Sequence, residues 1–163
     1  MLITANDPNR KSWIEVPQNS DFPIQNIPFG VFQTKDDVIT IGTRIGDSVI
    51  DLNALYQLGY FDGIELTDDI FLQDTLNAFI SSGRKTWREV RNRIAEIFDV
   101  NNSKLKDNPK DRGQIIFSVN EIEMQLPVQI GDYTDFYSSR EHATYVGMMF
   151  RDPNNALLPN WLH

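Results

Sequence analysis

Val38-Ile39-Thr40-Ile41-Gly42-Thr43-Arg44-Ile45-Gly46-Asp47-Ser48-Val49-Ile50-Asp51-Leu52 is the stretch that decides the fold. Two runs rich in β-branched residues flank Gly46-Asp47, a two-residue turn of the kind that closes a hairpin. Thr40, Ile41, Thr43 and Ile45 suit a pleated, half-buried surface. Upstream, Gly30-Val31-Phe32-Gln33 reads as a short strand. Downstream, Ile115 to Val119 and Ile122 to Leu126 give two more. Small barrel-like modules are built from such pieces, so the chain is expected to be mainly β with added helices (α+β).

The helices announce themselves between the strands. Asp51 or Asn53 can cap a short helix through Leu55 and Leu58, with Gly59 as its stop. Leu72, Leu76, Phe79 and Ile80 are expected on one helical face, ended by Ser81-Ser82-Gly83. From Lys85 to Phe98 the apolar residues Trp87, Val90, Ile94 and Ile97 recur at steps of three and four. The opposite face carries Arg84, Arg88, Glu89, Arg91, Arg93 and Glu96. Interspersed glutamates favour a solvated face there over an anion site. Asn101 to Asp111 reads as a polar loop. The proline-punctuated opening, with Phe22, Ile24, Ile27 and Phe29, reads as an extended segment lying on the domain surface.

Composition narrows the function classes. The 163 residues suffice for one domain, or for one domain and part of another. Hydrophobic residues make up 40% and charged ones 23%, which is globular rather than disordered. No apolar run approaches the roughly 20 residues that span a bilayer. The N-terminal segment lacks the basic and apolar regions of a secretory signal. A cytoplasmic protein without membrane contact is expected. With no cysteine, disulfides, thiolate catalysis and Cys-type metal sites are excluded. The two histidines, His142 and His163, exclude a multi-histidine site. A net charge of −8 disfavours nucleic acid, whose non-specific binding is driven by cations.

Chemistry concentrates in Ile130-Gly131-Asp132-Tyr133-Thr134-Asp135-Phe136-Tyr137-Ser138-Ser139-Arg140-Glu141-His142-Ala143-Thr144. Ser138-Ser139-Arg140-Glu141 matches the S-x-x-E capping box, so a helix is expected to start near Ser138 or Ser139. His142 then sits in the first turn, beside the positive end of the helix dipole, which favours the neutral ring a general base needs. Asp135 can ligate a hard cation, and Tyr137 can hydrogen-bond a substrate oxygen. Each has a plainer reading. Aspartates beside tyrosine often cap turns, a histidine can be structural, and Tyr137 and Arg151 can be packing or surface residues. One carboxylate cannot hold Ca²⁺ or Mg²⁺, which take six or more ligands. Met148, Met149 and Phe150 suit a core better than a cofactor. With Leu157, Leu158, Trp161 and Leu162 they form much apolar surface with little in the segment to cover it.

The stretch Asp132 to His163, including Gly147-Met148-Met149-Phe150-Arg151-Asp152-Pro153-Asn154-Asn155, closely resembles the start of the catalytic domain of the fumarylacetoacetase family. Ser20-Asp21-Phe22-Pro23-Ile24-Gln25-Asn26-Ile27-Pro28-Phe29-Gly30-Val31-Phe32 is similar, more weakly, to that family's N-terminal domain, and the helix around Trp87 also fits. The resemblance implies a small SH3-like barrel N-terminal domain with helices over 1–126. The truncated start of a mixed β-sheet catalytic domain would follow over 127–163. It implies hydrolysis of a carbon–carbon bond of 4-fumarylacetoacetate, the last step of tyrosine and phenylalanine breakdown, in a homodimer. It also implies His142 as the water-activating base, Tyr137 and Arg151 as substrate contacts, and Asp135 as one ligand of Ca²⁺ or Mg²⁺. The remaining metal ligands and oxyanion donors would lie beyond this chain, so the fragment itself is expected to be inactive. A different class of answer is a non-catalytic assembly or regulatory module with a remnant of a catalytic domain. A third keeps the fold but acts on other diketo or acylpyruvate substrates.

Overall fold

The structure, a computed structural model, describes residues 4–162, and of Trp161 the backbone alone. The expectations for the Trp161 side chain and for His163 therefore lie outside the described residues. The chain divides into two compact units, residues 1–129 and 130–163.

The first unit is built on an antiparallel sheet of β1 (Phe29–Thr34), β2 (Ile39–Ile45), β3 (Ser48–Asp51), β4 (Ile116–Ser118) and β5 (Ile122–Gln125). Their order is β4-β3-β2-β1-β5. Ile45 pairs with Ser48, so Gly46-Asp47 is the two-residue connection expected from the sequence. Gly46 has a φ of +55°, a backbone that favours glycine, and its N–H donates to the Phe22 carbonyl at 2.8 Å. Arg44 braces this turn, donating from Nε to the Gly46 carbonyl at 2.8 Å while its guanidinium lies over the Phe22 ring.

Successive strand residues face opposite ways, so a flat sheet with one covered face would bury only alternate side chains. Here Val31 and Phe32 are both buried, as is every residue from Thr40 to Thr43. The sheet curls into a half-barrel, which covers both faces. Val31, Ile41 and Ile50 enter the main core with Leu55, Val90, Ile94 and Phe98. On the other face Phe32 packs against Phe117 at 5.8 Å between centroids. The unit is thus the α+β, SH3-like arrangement expected.

Helix α1 (Leu52–Gln57) begins where β3 ends. Asp51 caps it, accepting from the Ala54 N–H and from the Thr40 hydroxyl, each at 3.0 Å. Burial pushes the Asp51 carboxyl up from its ordinary value, against the pull of these hydrogen bonds. Helix α2 (Asn77–Ser81) leads into α3 (Gly83–Ile97), which buries Val90, Ile94, Ala95 and Ile97. Half-buried Trp87 donates from Nε1 to the Phe79 carbonyl at 2.6 Å.

Four expectations are corrected. Leu72 and Ile80 are 65% and 48% exposed, and only Leu76 and Phe79 are buried. The cause is the shortness of α2: Leu72 precedes it, and Ile80 turns away from the face that Phe79 occupies. The Asn101 to Asp111 loop contains the start of a helix, α4 (Pro109–Ile115). Asn108 caps it by accepting from the Asp111 N–H at 3.1 Å, and Pro109 stands at the first position, where a missing N–H costs nothing. Ile24 and Ile27 lie in the core rather than on the surface, at 2% and 1% exposure. Finally, the α3 cations are not all solvated. Arg91 donates to the carbonyls of Gln25, Asn26 and Ile27, while Arg93 donates to those of Tyr60 and Asp62. They fasten neighbouring segments to the helix, and burial lowers the pKa of Arg91.

The second unit starts with an extended segment, residues 130–139, followed by α5 (Arg140–Met148). Single 3₁₀ turns follow at Pro153–Asn155 and Pro159–Trp161. Its buried apolar residues among those described are Ala143 and Ala156.

Candidate active site

Helix α5 is positioned by its cap. Ser139, not Ser138, is the N-cap residue: its Oγ accepts from the His142 N–H at 3.2 Å and donates to Glu141 Oε2 at 3.2 Å. The helix starts one residue later than the S-x-x-E register requires. Glu141 therefore serves its own serine instead of closing the expected box. Its own backbone N–H, with the Ser139 hydroxyl, holds the exposed Glu141 carboxyl below its ordinary value.

This cap places His142 on the first turn with its imidazole exposed. The ring of Tyr137 meets it nearly edge-on, at 5.2 Å between centroids and 76° between planes. Tyr137 also lines a cleft of about 330 Å³ with Ala143, Val146, Gly147, Phe150 and Arg151. Arg151 reaches the cleft because the chain doubles back after α5. The N–H of Arg151 donates to the Gly147 carbonyl at 2.9 Å, and its Nη1 to the Ala156 carbonyl at 3.3 Å.

Gly147 makes this fold-back possible. A Cβ there would overlap the Ala156 carbonyl oxygen and lie 2.8 Å from its carbon. No local sequence motif marks this pair. The available signal was a helical glycine four residues before Arg151 and a small residue, Ala156, in the following turn.

The structure therefore brings Tyr137 together with His142, and Tyr137 together with Arg151. Asp135 is exposed on the extended segment and is not among the cleft's lining residues. Among the described residues no group of three metal-ligating side chains forms. Asp135 is a suitable hard-oxygen donor, but these residues do not by themselves make a cation site. A second cavity, on the curled sheet, is an apolar groove of about 260 Å³ between Phe22, Phe29, Phe32, Val49 and Met124. Its cation, Arg44, is held by the Gly46 carbonyl and the Asp47 carboxylate.

Residues 25–127 match the family model described as fumarylacetoacetase N-terminal. The chain is 49% identical to fumarylacetoacetase of Dictyostelium discoideum over 94% of its own length. It is 50% identical to that of Caenorhabditis elegans and 46% identical to that of Homo sapiens, each over 93% of its length. The chain spans 36% of the length of each of these relatives.

Proposed function

Because this chain belongs to the fumarylacetoacetase family, we propose that it is the N-terminal part of a hydrolase that cleaves 4-fumarylacetoacetate to fumarate and acetoacetate. The observation that carries this reading is the grouping of a phenol, an imidazole and a guanidinium around the start and end of α5. In this scheme His142 takes a proton from water, and the hydroxide attacks a substrate carbonyl. The carbon–carbon bond then breaks, its electron pair leaves on a resonance-stabilised carbanion, and that carbanion takes up a proton. Tyr137 would hydrogen-bond a substrate oxygen, and Arg151 would hold a carboxylate through charge-assisted contacts. Asp135 would supply one carboxylate to a Ca²⁺ or Mg²⁺ site completed by parts of the relatives that this chain does not span. Bound there with Asp135 as one of its ligands, such an ion would supply Lewis-acid polarisation of the diketo group. We further assign the whole protein to the cytoplasm as a homodimer, a reading supported by family resemblance alone.

The test uses the full-length protein that carries these residues, with loss of fumarylacetoacetate followed in Ca²⁺ or Mg²⁺. His142→Ala is expected to lower kcat by about 10²–10⁴-fold, and Arg151→Ala to raise KM. A His142→Ala enzyme at near wild-type rate would overturn the assignment of the base. The 163-residue chain alone is expected to show no metal-dependent turnover.

A second reading, a non-catalytic assembly module, is favoured by the self-contained core of the first unit. An inactive full-length protein whose residues 1–129 dimerise alone would select it.

A further inference from the structure

The backbone of His142 is fixed by Ser139, but among the described residues no polar group fixes its side chain. Among the described residues no hydrogen bond or ion pair reaches the imidazole, and the ring of Tyr137 packs against it. Tyr137 stands two residues before the N-cap, and His142 is the third residue of the helix. An aromatic group just ahead of a cap can fold back onto the first turn, as apolar residues do in a hydrophobic staple. Tyr137 does this from within the cleft that it shares with Arg151.

The kind of contact matters for a base. An imidazole oriented by a hydrogen bond gives one ring nitrogen to its partner. An edge-to-face contact with an aromatic ring orients the imidazole without tying a ring nitrogen into a hydrogen bond. We infer that Tyr137 is a positioning residue for His142, acting through its ring, in addition to any contact its hydroxyl makes with substrate. This inference rests on the proposed role of His142 as base. It divides Tyr137 into two separable parts: the ring sets the direction of the imidazole, and the oxygen binds.

The test separates ring from hydroxyl with Tyr137→Phe and Tyr137→Leu. In the 163-residue chain, proton NMR should show a nuclear Overhauser effect between the imidazole of His142 and the ring at position 137. It should persist in Tyr137→Phe and be lost in Tyr137→Leu, with contacts inside α5 unchanged in both. In the full-length protein, Tyr137→Phe should raise KM, and its kcat is the reference against which the ring is judged. Tyr137→Leu should lower kcat below that of Tyr137→Phe by about 10- to 100-fold, the scale of a misplaced catalytic group. Absence of the effect in the wild-type chain would overturn the inference, as would equal kcat in the two variants. If the wild-type full-length protein does not turn over, the hydrolase reading fails, and the NMR pattern alone decides whether Tyr137 holds the ring.

Discussion

Residues 4–129 and residues 130–162 bury opposite kinds of side chain. The first unit encloses large ones: Phe61, Phe71, Phe98 and Ile94 are almost wholly inaccessible. The second encloses Ala143, Gly147 and Ala156, while Phe136, Tyr145, Met149 and Phe150 are each more than 60% exposed. In the first, side-chain volume carries the fold, and apolar area removed from water stabilises it. In the second, shape comes from backbone approach and from a cap, so its side chains remain available for contact. The candidate site lies in the unit with the least core.

That contrast can be broken most directly by truncation. Phe71 is 1% exposed and meets Phe61 and Phe79 at 5.4 Å and Tyr56 at 6.4 Å between centroids. Phe71→Ala should cost the first unit about 3–5 kcal/mol in denaturant unfolding. Phe150→Ala, at a side chain 79% exposed, should stay within about 0.5 kcal/mol. A large loss at Phe150 would mean that the second unit depends on apolar burial after all.

The second unit should instead be sensitive at its glycine. In Gly147→Ala the new methyl meets backbone rather than a movable side chain, so the 149–156 turn must shift or the helix end must open. A cost of about 1–3 kcal/mol is expected for that local structure. Amide exchange reads it directly. The N–H groups of Phe150 and Arg151, which donate to the Gly147 carbonyl at 3.1 and 2.9 Å, should lose protection. Unchanged protection would show that the close approach is not what shapes the cleft.

Caps occur in both units and should be worth similar amounts. Asn108 accepts from the Asp111 N–H at 3.1 Å, and Ser139 from the His142 N–H at 3.2 Å. Replacing either by Ala should cost about 1 kcal/mol. The consequences should differ. Asn108→Ala should lower the unfolding midpoint of the first unit, whereas Ser139→Ala should fray the turn that bears His142 and disturb its contact with Tyr137.

How much of this was legible depends on the range of the interaction. The hairpin, α1 and α3 are written in local signals: β-branched runs around Gly46-Asp47, an aspartate before an apolar turn, and a rhythm of three- and four-residue steps from Trp87 to Ile97. The start of α5 was legible to within one residue for the same reason. The Asn108-Pro109 signal was present but outweighed by the polar composition around it. What the sequence withheld was long-range. Nothing local says that Arg91 will bind carbonyls some 65 residues away, or that Ile24 and Ile27 will find a core. Likewise, His142, Tyr137 and Arg151 were nominated as chemical types. Their shared geometry rests on Gly147 and Ala156, whose role is steric and visible only in the fold.

The smallest expected effect is electrostatic, and it lies in the first unit, where burial can reach a charge. Asp51 accepts two hydrogen bonds, yet burial is the larger influence and raises its pKa above the ordinary 3.8. A carboxyl with a raised folded-state pKa binds its proton more tightly when folded. Its contribution to stability is therefore fully present below about pH 3.8 and is lost as pH rises through the raised value. Asp51→Asn keeps an acceptor at the cap and removes the titration. The stability of the wild type relative to this variant should then increase as pH falls from neutral towards 3.8, and stay level on either side. The difference isolates Asp51, because the other carboxyls are common to both proteins. A relative stability that instead fell with acidification would mean that the Ala54 and Thr40 hydrogen bonds outweigh burial. Asp51 would then be an ordinary cap whose charge favours the fold.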